Sequence, residues 1–150
     1  MLILGIDPGS IKSGWGLIKV EGRKITHVAS GVLRYDSKTP LVNRLEEIKT
    51  SMQEVIDQYN PDEIALESLI YVKSPTALIK LAHARAMIIS TFIETHNERI
   101  FEYSPNLIKS STAGHGHADK LGIQKSVRMI LGQIEFETDD QSDALAVAIC

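Results

Sequence analysis

The sequence predicts an α/β fold: a single domain over residues 1–150, with a mixed central sheet whose first three strands run antiparallel, flanked by helices. Two observations carry that expectation. Three short apolar runs come first, in close succession with turns between them, and later runs alternate with stretches of helical periodicity. The size agrees, because 150 residues, 43% hydrophobic and 23% charged, suffice for one hydrophobic core in a globular chain.

Leu2 to Ile6 is an apolar strand ending in the turn Asp7-Pro8-Gly9. Gly14 to Val20 resumes a strand pattern, Glu21-Gly22-Arg23 turns the chain, and Ile25 to Arg34 is a third strand. From Leu41 to Tyr59 the apolar residues Leu41, Leu45, Ile48, Met52, Val55 and Ile56 fall at helical spacing, and Pro61 stops the helix. Glu63 to Leu66 is a brief strand ending at Glu67. Pro75 to Thr95 reads as one long helix with proline at its start, where the missing N–H costs nothing. Arg99 to Tyr103 is a further strand, and Ser104-Pro105 opens a short helix to about Ser111. A glycine-rich loop, Ala113 to Ala118, leads into a helix from Asp119 to Leu131, ended by Gly132. Thr138-Asp139-Asp140-Gln141 fits a capping box with Thr138 as N-cap, so the last helix is expected from Asp139 onward, still apolar at Cys150 and so open to truncation.

Composition narrows the function classes. No apolar run approaches the roughly 20 residues needed to span a bilayer, and the start lacks the basic and long apolar stretches of a signal peptide. One cysteine, Cys150, excludes an intramolecular disulfide framework and suits a reducing cytosol, so a cytoplasmic protein with no membrane partner is expected. The net charge of −3 conceals a segregation. Lys73, Lys80 and Arg85 stand in a stretch without carboxylates, and Lys109, Lys120, Lys125 and Arg128 face only Asp119 in another, whereas Glu135 to Asp143 is acidic without a base.

Asp7 and Glu67 each end an apolar strand, where an unpaired charge is costly. Asp140 and Asp143 lie three apart near a helix start and so share a face. If that face meets the two strand ends, four carboxylates converge, and like charges raise one another's pKa unless a cation compensates. Hard oxygen donors with few histidines suit Mg²⁺ or Mn²⁺ rather than zinc. Two such ions, about 3.5–4 Å apart, can activate water and stabilise the leaving oxygen in phosphodiester cleavage. Each residue also has a plainer reading: Asp7 as a turn residue, Glu67 as a strand-end ion pair, Asp139 and Asp140 as partners of a helix N-terminus. Asp143 resists one, because Ala144-Leu145-Ala146-Val147 follows it on an apolar helix.

At these residues the sequence resembles the RuvC family of Holliday-junction resolvases. Ile3-Leu4-Gly5-Ile6-Asp7-Pro8-Gly9-Ser10 is similar to its first motif and Ala65-Leu66-Glu67 to its second acidic motif. Lys109, Thr112, Gly114, Gly116, Ala118 and Lys120 resemble its lysine and glycine-rich loop, and Asp140-Gln141-Ser142-Asp143-Ala144-Leu145-Ala146 its closing motif. The resemblance implies an RNase H-like fold, a homodimer, and Mg²⁺-dependent symmetric nicking of four-way junction DNA in recombination and repair. It implies two Mg²⁺ per site, with Mn²⁺ as substitute, held by Asp7, Glu67, Asp140 and Asp143. Lys109 and Lys120 then act beside the scissile strand, and the branch-migration complex RuvAB is an implied partner. Tyr71, Lys73, Lys80, Arg85 and Lys125 are the candidate DNA contacts, Tyr71 by stacking.

The resemblance departs at Ile70, where the family usually has an aromatic, here displaced to Tyr71, and at His83 and Ala86, where it often shows Gln and Gly. His115 and His117 are a weak metal pair beside a more plausible phosphate loop. Trp15 is expected to pack, and His27, His83 and His96 to take surface or helix positions. Two other classes compete. A nucleotide-phosphate enzyme of the actin and sugar-kinase type shares the opening turn but needs a second lobe, and a non-catalytic DNA scaffold leaves the four acids unexplained.

Overall fold

The computed structural model describes residues 1–69, 74–114, 116 and 118–150. Five strands form one sheet in the order β3-β2-β1-β4-β5: β1 Leu2–Asp7, β2 Lys12–Glu21, β3 Lys24–Arg34, β4 Glu63–Glu67 and β5 Ile100–Tyr103. The meander β1-β2-β3 is antiparallel, whereas β4 runs parallel to β1 and β5 parallel to β4, as crossovers through helices require. The described residues also form the α-helices α1 Leu41–Tyr59, α2 Pro75–Ser90, α3 Ile93–His96, α4 Pro105–Ala113, α5 Lys120–Leu131 and α6 Asp139–Ile149, with a 3-10 turn at Asn97–Arg99.

Strand alternation divides the molecule into two cores. Leu4, Ile6, Leu17, Ile64 and Leu66 point to one face and pack with Ile48, Met52 and Val55 of α1, Ala84 and Ile88 of α2, and Phe92. Ala65 and Ile18 point to the other, against Ile123 and Val127 of α5 and Leu145 to Ala148 of α6. On this second face the sheet is nearly bare of side chains at its centre. A Cβ on Gly5 would stand 2.1 Å from the Ala144 carbonyl oxygen, one on Gly14 1.9 Å from that of Asp140, and one on Gly16 2.6 Å from Leu145 Cγ. Gly5 pairs with Gly16 and Asp7 with Gly14 across the β1–β2 ladder, so these glycines open a trough in which the backbone of α6 lies directly on the sheet.

Local sequence explains the boundaries. Ser74, Ser104 and Asp119 cap α2, α4 and α5 by accepting from the N–H of Ala77, Leu107 and Gly122, and α1 ends on Asn60 in the left-handed region at φ 43°. Two expectations are corrected. The predicted helix Pro75–Thr95 breaks after Ser90: Thr91 Oγ1 donates to the Ile88 carbonyl, Phe92 turns into the core, and the chain bends by 55°. The capping box at Thr138 does not form. Its hydroxyl makes no cap bond, and Gln141 Oε1 instead accepts from the Glu137 N–H while its amide donates to Ser30 on β3. His96 takes a helix position, at the end of α3, and is buried there with Nε2 on the Pro61 carbonyl oxygen. Trp15 packs as expected, its ring 5.4 Å from that of Tyr59. Among the described residues no single helix is long and apolar enough to cross a membrane.

Candidate active site

The site is assembled by strand direction. Because β1 and β4 are parallel and paired Ile6 to Leu66, both end at the same edge of the sheet. Asp7 and Glu67, one residue further on, emerge side by side there. Both have the parity of Gly5 and Ala65, so they face α6. The glycine trough seats the first turn of α6 against β2, with the Asp140 backbone on Gly14, the ladder partner of Asp7. Asp143, one turn on, borders a cavity of about 330 Å³ that it shares with Glu67, Lys109 and Lys120 over a floor of Ile108, Ile123, Ala146 and Val147. The described lining of that cavity contains no histidine or cysteine.

The electrostatics record how close the acids are. Burial, then the charges of Glu67, Asp143 and Asp140, push the Asp7 carboxyl up to about 8. Burial likewise raises Glu67 and Asp143, with Asp143 adding to the shift of Glu67 and Asp139 and Asp140 to that of Asp143, while Lys109 opposes both. Asp140 alone moves the other way. Burial pushes it up, but the hydrogen bond and charge of Lys12, whose Nζ donates to Asp140 Oδ2, bring it below the usual carboxylate range. Lys120 pairs with Asp139 at 3.1 Å, and that hydrogen bond, above its desolvation, raises the ammonium's pKa. Among the described residues no three ligating side chains stand close enough to close around one ion, Asp140 being held by Lys12. The donor set nevertheless fits a hard divalent cation, since Asp7, Glu67 and Asp143 are oxygen donors whose charged forms burial and mutual repulsion disfavour until a cation joins them.

The sequence-derived candidates divide. Asp7, Glu67, Asp140, Asp143, Lys109 and Lys120 come together at this end of the sheet. Lys80 on α2 and Lys125 on α5 are exposed, Lys125 in a neighbouring groove with Thr112, Gly122 and Met129. Arg85 is buried, its guanidinium 3.0 Å from Glu102 and its Nε donating to the Glu67 carbonyl, so it braces the end of β4. Tyr71 and Lys73, like Ile70, His115 and His117, lie outside the described residues. Sequence reasoning missed Lys12. Its signal, a lysine five residues after the strand-end aspartate, is too weak to read without knowing that α6 returns to the same spot.

The family model "Crossover junction endodeoxyribonuclease RuvC" matches residues 3–150. A protein of that name from Methylobacterium radiotolerans is 44% identical over 147 residues, covering 98% of this chain and 70% of the relative. One from Bartonella henselae is 38% identical over 148 residues, 99% of this chain and 87% of the relative. Among solved structures, Thermus thermophilus RuvC in complex with a Holliday junction superposes with a TM-score of 0.90 at 28% identity, covering 99% of this chain and 91% of that one. The yeast mitochondrial resolvase Ydc2, at 17% identity and a TM-score of 0.70, shares the fold.

Proposed function

The chain belongs to the RuvC family of crossover junction endodeoxyribonucleases, and from that membership we infer an endonuclease that resolves four-way Holliday junctions by phosphodiester hydrolysis, in DNA recombination and repair. One observation within the molecule carries the chemistry: two parallel strand ends and one helix turn bring four carboxylates to one place, beside two lysines. An acidic cluster strained by burial and mutual repulsion is a poor structural element and a good seat for divalent metal. The family implies dependence on a divalent metal, and we assign Mg²⁺, two ions per site with Mn²⁺ able to substitute.

Asp7, Glu67, Asp140 and Asp143 would hold the ions. When bound, divalent metal supplies an activated water and neutralises charge on the phosphate. Asp7, which feels all three other acids, takes the central place. Lys120 remains protonated beside Asp139 and so serves as a cation for the charge that develops on the phosphate oxygens, not as a base. Lys109, which opposes the charges of Glu67 and Asp143 from α4, acts in the same way. The exposed Lys80 and Lys125 neutralise flanking phosphates, and binding weakens with salt accordingly.

Symmetric paired nicks need two copies of the site, which a homodimer provides for a substrate of two-fold symmetry. The outward face of α2, with Ile79, His83 and Ala86 exposed, supports such a pairing. A single nuclease domain over residues 1–150, a cytoplasmic setting and cooperation with the branch-migration complex RuvAB belong to the same reading, as does base stacking by Tyr71.

The test is cleavage of a labelled four-way junction beside a linear duplex of the same sequence, in Mg²⁺, with Asp7→Asn as control. Paired nicks on the junction only, lost in the variant, are expected. Tight junction binding without nicks in Mg²⁺ or Mn²⁺ would replace the enzyme by a scaffold, and loss of folding in the variant would remove Asp7 from the metal site.

A further inference from the structure

Lys12 opens β2 directly across the ladder from Arg34 on β3, and both share the sheet face covered by α6. Two like charges at opposed ladder positions repel, and each is held here by an acid, one in the first turn of α6 and one just before it. Lys12 Nζ donates to Asp140 Oδ2, and Arg34 lies 2.5 Å from Glu137 Oε1. The Lys12 side chain is 45% exposed whereas the Asp140 side chain is 19% exposed, so a flexible, solvent-reaching cation sits on a half-sunk carboxylate of the site. It is the positive group that occupies Asp140 when no metal does.

We propose that Lys12 is a positioning residue of the nuclease centre: it holds Asp140 as a resident counter-cation in the metal-free protein and, when that carboxylate turns to a divalent ion, passes to a phosphate of the bound DNA strand. The ammonium has three donors on a four-carbon stem and needs no particular approach angle to exchange a carboxylate oxygen for a phosphate oxygen. Arg34, the repelling neighbour, favours the outward position once Asp140 has let go. The proposal rests on the nuclease reading above and adds a residue to it.

The experiment is a calorimetric titration of the DNA-free protein with Mn²⁺, comparing wild type, Lys12→Gln, Lys12→Arg and Asp7→Asn. Without an ion pair to break and a cation to repel, Lys12→Gln is expected to bind Mn²⁺ about fivefold more tightly, while Lys12→Arg keeps the wild-type affinity. Equal or weaker binding by Lys12→Gln overturns the proposal. In a second arm, junction binding in Ca²⁺ is followed against salt. Lys12→Gln is expected to lower the slope by about 0.9, one phosphate contact, with Lys12→Arg restoring it, and an unchanged slope overturns the handover. If wild type takes up no Mn²⁺, or Asp7→Asn takes up as much, the nuclease reading itself fails. If both of those behave as expected and Lys12→Gln matches wild type, only the role of Lys12 falls.

Discussion

The two faces of the sheet are built on opposite principles. Toward α1 and α2 the strands present Leu4, Ile6, Leu17, Ile64 and Leu66, all essentially fully buried, and the helices stand off by the thickness of those side chains. Toward α6 they present Gly5, Gly14, Gly16 and Ala65, and the helix backbone lies in contact with the strands. The first arrangement buries large apolar area and holds the fold together. The second gives up that area in return for seating the start of a helix directly against two strand ends bearing acids. Stability and chemistry are divided between the faces of one sheet.

The sharpest test of that division acts on the acids. Asp7→Asn is expected to lower cleavage by roughly a thousandfold or more at saturating substrate, measured by single-turnover nicking, with junction binding largely kept. Next comes the trough. Gly14→Ala places a Cβ where the Asp140 carbonyl oxygen stands, so α6 must shift by about an ångström, with an expected loss near a hundredfold in cleavage. The two effects separate in the pH dependence of metal affinity, because Gly14→Ala leaves Asp7 titratable. Lys109→Ala is expected to slow cleavage about tenfold at saturating enzyme with less change in affinity, and a pure affinity loss would move this lysine to backbone contact. At the bottom of the scale, Ile6→Ala on the apolar face is expected to cost about 2–5 kcal/mol of stability by denaturant unfolding while each folded molecule cuts at the wild-type rate.

The same division predicts how the metal-free protein responds to pH. The Asp7 carboxyl is raised from 3.8 to about 8, so between those values the folded state holds a proton that the unfolded chain has released. Stability therefore falls as pH rises from about 4 to about 8, the reverse of an ordinary paired aspartate. Adding Mg²⁺ at pH 8 is expected to raise the melting temperature, and Asp7→Asn to raise it without metal and flatten the pH dependence. A variant no more stable than wild type at pH 8 would show that Asp7 is not under charge stress.

Much of this was legible in the sequence because the features are local. The apolar runs Leu2 to Ile6 and Ile64 to Leu66 placed Asp7 and Glu67 at strand ends, and the spacing of Asp140 and Asp143 gave their shared face. What escaped depends on contacts remote in sequence. Lys12 meets Asp140 across 128 residues. Arg85 sits on a helix apolar nearly all round, so periodicity cannot say which side is inward, and Glu102 on β5 claims it. The break after Ser90 is announced by no proline or glycine and is decided by Phe92 fitting the core, and His96 is drawn in by a carbonyl at Pro61.

The placement of the acids has a consequence in time. Asp7 and Glu67 leave the ribosome early, but the turn carrying Asp140 and Asp143 belongs to α6, which follows all the other described elements in chain order. Until that helix emerges the glycine trough is open and the two strand-end carboxylates have no partners. A nascent chain is therefore unarmed until α6 has emerged and settled into the trough.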